Sequence, residues 1–305
     1  MADSPTDLRA GTWPATLRRT ATQFVEDNLL QWAAALTFFT VLALFPAMLT
    51  LVAVLGLVGG PAIEPLIENA STLAPGAARD IILDGLRAIR ASDRAGVTLV
   101  IGLAAALWTA SGYVGAFIPA ANVVWDVDEA RPIWRKLVLR IALTIGLLLL
   151  LAVVAVTVVL TGPIAEAVGS IIGVGDVAVG AWQIAKWPFL ALVMMTMLAI
   201  LYWASPNVRH PGWRWVTPGS VLALVLWIVA SLGLTLYVAT VSSYDATYGS
   251  IGAVLLFLVW LWLTNIAILL GAELDAELER TRAIEAGLRP QNREPYLPPR
   301  YSNDS

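Results

Sequence analysis

The sequence predicts an all-α, polytopic membrane protein: six transmembrane helices, an amphipathic N-terminal helix, and an extracytoplasmic helical hairpin between spans one and two. Three observations predict it. Hydrophobic residues make up 58% of the 305-residue chain and charged residues 13%, whereas soluble domains carry about a quarter charged residues. Uncharged apolar stretches recur at lengths near the roughly 20 residues that a helix needs to cross a bilayer's hydrocarbon core. The clearest, Ile251 to Ala272, passes directly into a helix-favouring acidic segment with Glu273, Asp275, Glu277 and Glu279.

The chain divides into a cytoplasmic N-terminal segment (1–29), one membrane domain (30–272), and a cytoplasmic helix end followed by a disordered tail (273–305). Residues 1–28 are polar and lack the short apolar core of a cleaved signal. Within them Leu17, Ala21, Phe24, Val25 and Leu29 share one helical stripe, opposite Arg18, Arg19, Thr22 and Glu26, the pattern of a helix lying on a membrane surface. Span one (30–58) contains Pro46, whose missing N–H and ring clash predict a kink. Residues 59–95 read as two short amphipathic helices separated at Pro75 and Gly76. Span two (96–119) is rich in small residues, including Gly102, Ala106, Ser111, Gly112, Gly115 and Ala116, which permit close helix approach.

Asn122 and Asp126 follow span two at i, i+4 spacing, and the basic run Arg131, Arg135, Lys136 and Arg140 comes next. Span three (141–161) is almost uniformly aliphatic. Span four (184–203) begins near Lys186, Trp187 and Pro188. A short basic connector then carries the single histidine, His210, expected as an exposed loop residue. Span five (218–239) starts at Pro218, where the first turn of a helix tolerates proline. Tyr248, Gly249, Ser250 and Gly252 read as a tight entry turn into span six (251–272), and Gly271 near its far end allows close backbone approach. Pro290, Pro295, Pro298 and Pro299 mark the tail as disordered.

Of 19 basic residues, fourteen fall before span one and after spans two, four and six; only Arg79, Arg87, Arg90, Arg94 and Lys186 fall on the other side. The positive-inside rule then places both termini in the cytoplasm. Trp32, Trp182, Trp187, Trp203, Trp213 and Trp215 lie near span ends, as interfacial anchors do.

Several function classes are excluded or weakened. The net charge is −3, and no dense basic cluster offers the phosphate-neutralising surface of a nucleic-acid binder. With no cysteine and one histidine, thiol nucleophiles and Cys/His zinc sites are absent. No Walker-type loop is present, no cofactor or metal is expected, and the oligomeric state is not readable.

Polar side chains held at membrane depth are default site candidates because burying them is costly. Asn265 is one, set against an interhelical hydrogen bond as the plain alternative. Glu273 sits at the membrane boundary, where pairing with Arg131, Arg135 or Arg214 competes with a substrate or proton role. Asp275 lies on a second stripe with Glu279 and Arg282, while Glu277 and Glu279 read as surface ion-pair partners. Asn122 and Asp126 read as helix-capping residues or as contacts to a polar head group.

YGSIGAVLLFLVWLWLTNIAILLGAELDAELER resembles the last span of the YihY/BrkB family of bacterial inner-membrane proteins. AAALTFFTVLALFPAMLTL, LWTASGYVGAFIPAANVVWDVDEARPIWRKL and YWASPNVRHPGWRWVTPGSVLALVLW extend the resemblance over roughly residues 20 to 280. It implies a six-span, all-helical protein of the bacterial cytoplasmic membrane. Members carry ribonuclease or virulence labels, and relatives are linked to moving lipids across the inner membrane.

The resulting expectation is a transporter or flippase-like protein for a lipid or another amphipathic substrate, with membrane lipids as partners. The alternative is a non-catalytic scaffold or envelope-maintenance factor. A ribonuclease is the weakest reading, because RNA hydrolysis needs an acid–base pair or a metal-bound water and the acids here point along different helical stripes.

Overall fold

The computed structural model describes residues 12–58, 95–159, 176–210, 215–240, 244–287 and 297–302; within them, side chains at 45–58, 95–99, 102, 103, 106, 155, 156, 159, 176–179 and 244–251 are outside the description. Seven helices follow in order: α1 (Trp13–Glu26), α2 (Leu29–Val58), α3 (Ala95–Val124), α4 (Ile133–Val159), α5 (Asp176–Ala204), α6 (Pro218–Thr240) and α7 (Tyr244–Glu285). Among the described residues four helical stretches are long and apolar enough to cross a membrane: Ile133–Val154, Gly180–Ala204, Pro218–Thr240 and Gly252–Glu285. A fifth arises if the bent pair Trp13–Glu26 and Leu29–Leu44, at 67°, counts as one span. The predicted hairpin at 59–95 lies outside the described residues, except for Ala95, which begins α3. So does the side chain of Pro46, where a kink is expected.

The helices segregate into two units, one formed by residues 1–37 and 114–305 and the other by 38–113. In the second, a Cβ on Gly112 would stand 2.8 Å from the Phe39 ring. This is the close approach that small residues on α3 predict. The first unit holds the candidate site.

There, α1 buries Thr16, Thr20 and Phe24, a stripe of i, i+4 spacing that faces the protein. Leu17 and Val25, on the stripe expected to be apolar, are 49% and 65% exposed. The amphipathic helix therefore has two working faces: threonines turned to the protein and aliphatics turned outward. Thr16 and Thr281 bring their hydroxyls to 3.3 Å, and Arg19 Nε lies 3.1 Å from Glu277 of α7. The chain turns at Asp27 and Asn28, and Asn28 takes a φ of 54°, the left-handed value that asparagine tolerates at helix ends.

Four helices differ from their predicted bounds. α3 continues through Pro119 to Val124, although an internal proline costs about 3 kcal/mol; Phe117, Ile118, Ala120 and Ala121, all buried around it, offset that cost. α4 begins at Ile133, so Arg135, Lys136 and Arg140 stand on the helix and not before it. α5 begins at Asp176 and carries Pro188 inside it.

α7 begins at Tyr244, so Tyr248, Gly249, Ser250 and Gly252 are helical and form no entry turn. A glycine costs a helix only about 1 kcal/mol relative to alanine, less than the long apolar run recovers by packing.

The start of α6 matches its prediction. Thr217 Oγ1 accepts from the Ser220 backbone N–H at 3.1 Å, and Ser220 Oγ accepts from that of Thr217 at 3.0 Å, a reciprocal cap. α7 packs along α6, and they meet at Gly219 and Gly271. A Cβ on either glycine would collide with the other's carbonyl oxygen, so both positions require glycine for close approach. Higher up, Trp260 Nε1 donates to Ser231 Oγ at 3.0 Å.

Candidate functional site

Two polar groupings occupy the charged end of the first unit. The first is built around the end of α3. Asn122 is buried; its Oδ1 accepts from the Asn207 backbone N–H at 2.8 Å and its Nδ2 donates to Glu129 Oε2 at 3.0 Å. Glu129 takes the Arg131 guanidinium bidentately, at 2.7 Å on each oxygen, and Arg131 also donates to the Ser205 carbonyl at 2.7 Å. Burial alone would raise the Glu129 carboxyl, but the hydrogen bonds and charge of Arg131, aided by Asn122, hold it below the ordinary glutamate value. Planar fork-to-carboxylate pairing is the strong form of such a bond.

The C-terminal segment completes this grouping. Asn207 Nδ2 donates to the carbonyls of Asp128 and Tyr301, each at 2.9 Å, and its Oδ1 accepts from the Tyr301 N–H at 3.2 Å. Val208 and Pro299 form a β-bridge, and Arg300 donates to the carbonyls of Val208 and Trp203 at 2.6 and 2.9 Å. The expectation of a disordered tail is thus corrected at residues 297–302. Prolines there set an extended backbone that fits a bridge, and Asn207 supplies the polar partners. His210 is corrected as well: it is not an exposed loop residue. Its ring meets Trp125 edge-on at 4.7 Å, and burial followed by the charge of Arg300 pushes its imidazole down to about 4.

The second grouping is on α7, just past the apolar run. Glu273 is 1% exposed, and neither of its oxygens has a hydrogen-bond partner among the described residues. Of the arginines expected for it, Arg131 pairs with Glu129 and Arg135 stands over the Trp134 and Tyr301 rings, while Arg214 lies outside the described residues. The charges acting on Glu273 are, after its burial, those of Asp27, Glu277 and Asp126, opposed by Arg280. Asp27 stands at the α1–α2 turn and Asp126 at the end of α3, where it takes a φ of 50°. Glu277 is buried as well, which corrects the expectation of a surface pair. It is held by Arg19 at 3.1 Å and Arg280 at 3.0 Å.

The remaining sequence candidates resolve into packing roles. Asp275 Oδ1 accepts from the Gly219 N–H at 2.7 Å, so this carboxylate caps α6 and favours its positive end. About two turns before, the Ile268 carbonyl accepts from the Tyr202 hydroxyl at 2.6 Å. Asn265 is buried and donates to Thr37 Oγ1 of α2 at 3.1 Å and to Leu261 O of its own helix at 2.9 Å, so its interhelical partner is a hydroxyl and not the neighbouring backbone expected. Among the described residues no group of three or more His, Asp or Glu side chains could hold a metal ion.

Sequence reasoning missed Asp27, Glu129, Ser205, Asn207, Arg300 and Tyr301. Only one signal pointed at any of them: two polar residues flanking Pro206, a turn pattern in an otherwise apolar context.

Comparison with known proteins places this arrangement. The model of the virulence factor BrkB family matches residues 20–295. The chain belongs to this family. A BrkB relative in Bacillus subtilis, a putative ribonuclease-like protein, is 31% identical over 83% of this chain and 90% of its own length. UPF0761 membrane proteins of Nitrosospira multiformis and Stenotrophomonas maltophilia are 28% and 30% identical, over 85% and 90% of this chain. The chain spans only 60% and 63% of their length. No solved structure matches this BrkB chain.

Proposed function

We propose that this chain is a transporter or flippase-like protein for a lipid or another amphipathic substrate. On this reading it has six spans and lies in the bacterial cytoplasmic membrane with both termini in the cytoplasm. One observation carries the reading: Glu273, a buried carboxylate just past the apolar run of α7, makes no hydrogen bond among the described residues. An intramembrane or boundary acid left in that state is expensive, and such groups recur where substrates or ions pass. Neighbouring Asn122, Asn265 and Asp275 each make at least one hydrogen bond, whereas among the described residues both oxygens of Glu273 are buried without one. The membrane-protein relatives and the long apolar helices support the same reading.

A ribonuclease, the word in the Bacillus relative's name, is disfavoured because the carboxylates of Glu273 and Glu277 are buried, which keeps an RNA backbone from reaching them. The test is reconstitution of the purified chain into liposomes carrying labelled lipids of several classes. Protein-dependent movement of at least one class across the bilayer is the expected result; identical rates with and without protein for every class would sink the reading.

A further inference from the structure

A buried carboxylate with no partner must be neutralised in some other way, and the surroundings of Glu273 say how. α1 presents Asp27 and Arg19, the end of α3 presents Asp126, and α7 itself presents Glu277 and Arg280. Both arginines are within ion-pair distance of Glu277, so the cationic charge nearby is directed to a different carboxylate. The C-terminal ends of α1 and α3 add negative dipole potential at the turns that carry Asp27 and Asp126. The region therefore attracts a small cation. Among the described residues it has no ligand set for a metal, and a proton needs none.

We propose that Glu273 is a proton-binding site that exchanges with the aqueous phase through Asp27 and Asp126. Those two aspartates are half-buried while Glu273 is closed off, so they are within reach of water where it is not. A hydronium ion gives its proton to the carboxylate of Asp27 or Asp126 and leaves as water. The proton then passes to Glu273, which becomes the neutral acid, and the aspartate returns to its anion. Release retraces the same steps. The site stands whether or not the molecule that the protein moves is a lipid.

The test uses the full chain in lipid nanodiscs and infrared difference spectroscopy between acidic and alkaline buffers. The expected result is a carboxylic C=O band from a water-poor acid, titrating with pH, shifting in deuterated water and lost in Glu273→Gln. In Asp27→Asn/Asp126→Asn the band persists but exchanges its proton more slowly. Glu273→Asp guards against misfolding, since it retains a titrating band with a displaced midpoint. The proposal is overturned if the band survives Glu273→Gln, or if no such band exists at any pH in a folded wild type. It is also overturned if replacing choline with sodium displaces the titration, which would mark a metal-cation site. Absent lipid movement beside an intact titration would count against the transport reading alone.

Discussion

Glu129 and Glu273 belong to the same unit, and each lies near the end of a long apolar helix, but their surroundings differ in kind. Glu129 receives four hydrogen bonds: three from Arg131, through its backbone N–H and guanidinium, and one from Asn122. Glu273 receives none and faces other acids. The first carboxylate is used as structure, because every lone pair directed inward meets a donor. The second lacks that compensation, and an uncompensated buried polar group costs about 1–3 kcal/mol, more if charged. A position that pays this in every folded molecule is better explained by what it does than by what it holds together.

The comparison breaks most severely at Arg131. Removing one partner of a buried pair costs about 3–5 kcal/mol, and because the Glu129 left behind is half-buried and can be hydrated, the loss falls at the lower end, about 3 kcal/mol. Arg131→Met is therefore expected to destabilise the protein by that amount in thermal unfolding in detergent. It should also free the 297–302 segment to limited proteolysis, because Arg131 ties Glu129 to the Ser205 carbonyl beside Asn207. A variant with wild-type stability would mean that Glu129 is no more structural than Glu273.

A smaller loss is expected at the α6–α7 crossing. Gly271→Ala forces a methyl group against the Gly219 carbonyl, with the Tyr202 hydroxyl at 2.7 Å from the same point. Overpacking of this type costs about 1–3 kcal/mol. It should also loosen the Asp275 cap on Gly219, visible as faster hydrogen exchange at the start of α6. Comparable in size, Asn207→Ala removes the side-chain donor and acceptor that hold Tyr301 and the bond to the Asp128 carbonyl, at about 1–3 kcal/mol.

Acid sharpens the contrast from another direction. His210 in the folded protein titrates at about 4, below the usual 6.5, so between those values the unfolded chain binds more protons than the folded one. Stability from this group is present above about pH 6.5 and is lost as pH falls through the window toward 4. His210→Phe, which keeps a ring against Trp125, should flatten that acid limb of the pH–stability curve. Loss of the limb's slope in wild type, or its persistence in the variant, would remove His210 from the grouping.

How much of this was legible in the sequence follows the range of each interaction. The apolar helices, the start of α6 at Pro218, and the small residue at Gly271 are local, since each is decided by neighbours within a few positions. Asn122 and Glu273 could be singled out because polar groups near apolar runs need an account. Their surroundings could not be read, because Asn122 meets Asn207 and Asn207 meets Tyr301 across 85 and 94 residues. Nothing in a single sequence couples such positions. The tail at 297–302 was misread for the same reason: composition alone says disorder, and the distant Asn207 supplies partners that order it.

The smallest expected effect is the most discriminating. Glu273→Gln keeps the shape of the side chain and removes only its capacity to ionise, as Glu129→Gln does at the other position. At Glu129 the change weakens a charge-assisted fork to Arg131, and a loss of about 1–3 kcal/mol is expected. At Glu273 there is no such bond to weaken, and the amide relieves the opposition of Asp27, Glu277 and Asp126. Its stability at neutral pH should stay within about 0.5 kcal/mol of wild type, in the range of substitutions away from structural features, or rise. Unfolding both glutamine variants side by side in the same detergent measures the difference directly. Equal losses would show that Glu273, too, is bound into the structure. A loss confined to Glu129→Gln separates the carboxylate that holds the fold from the one left available for a proton.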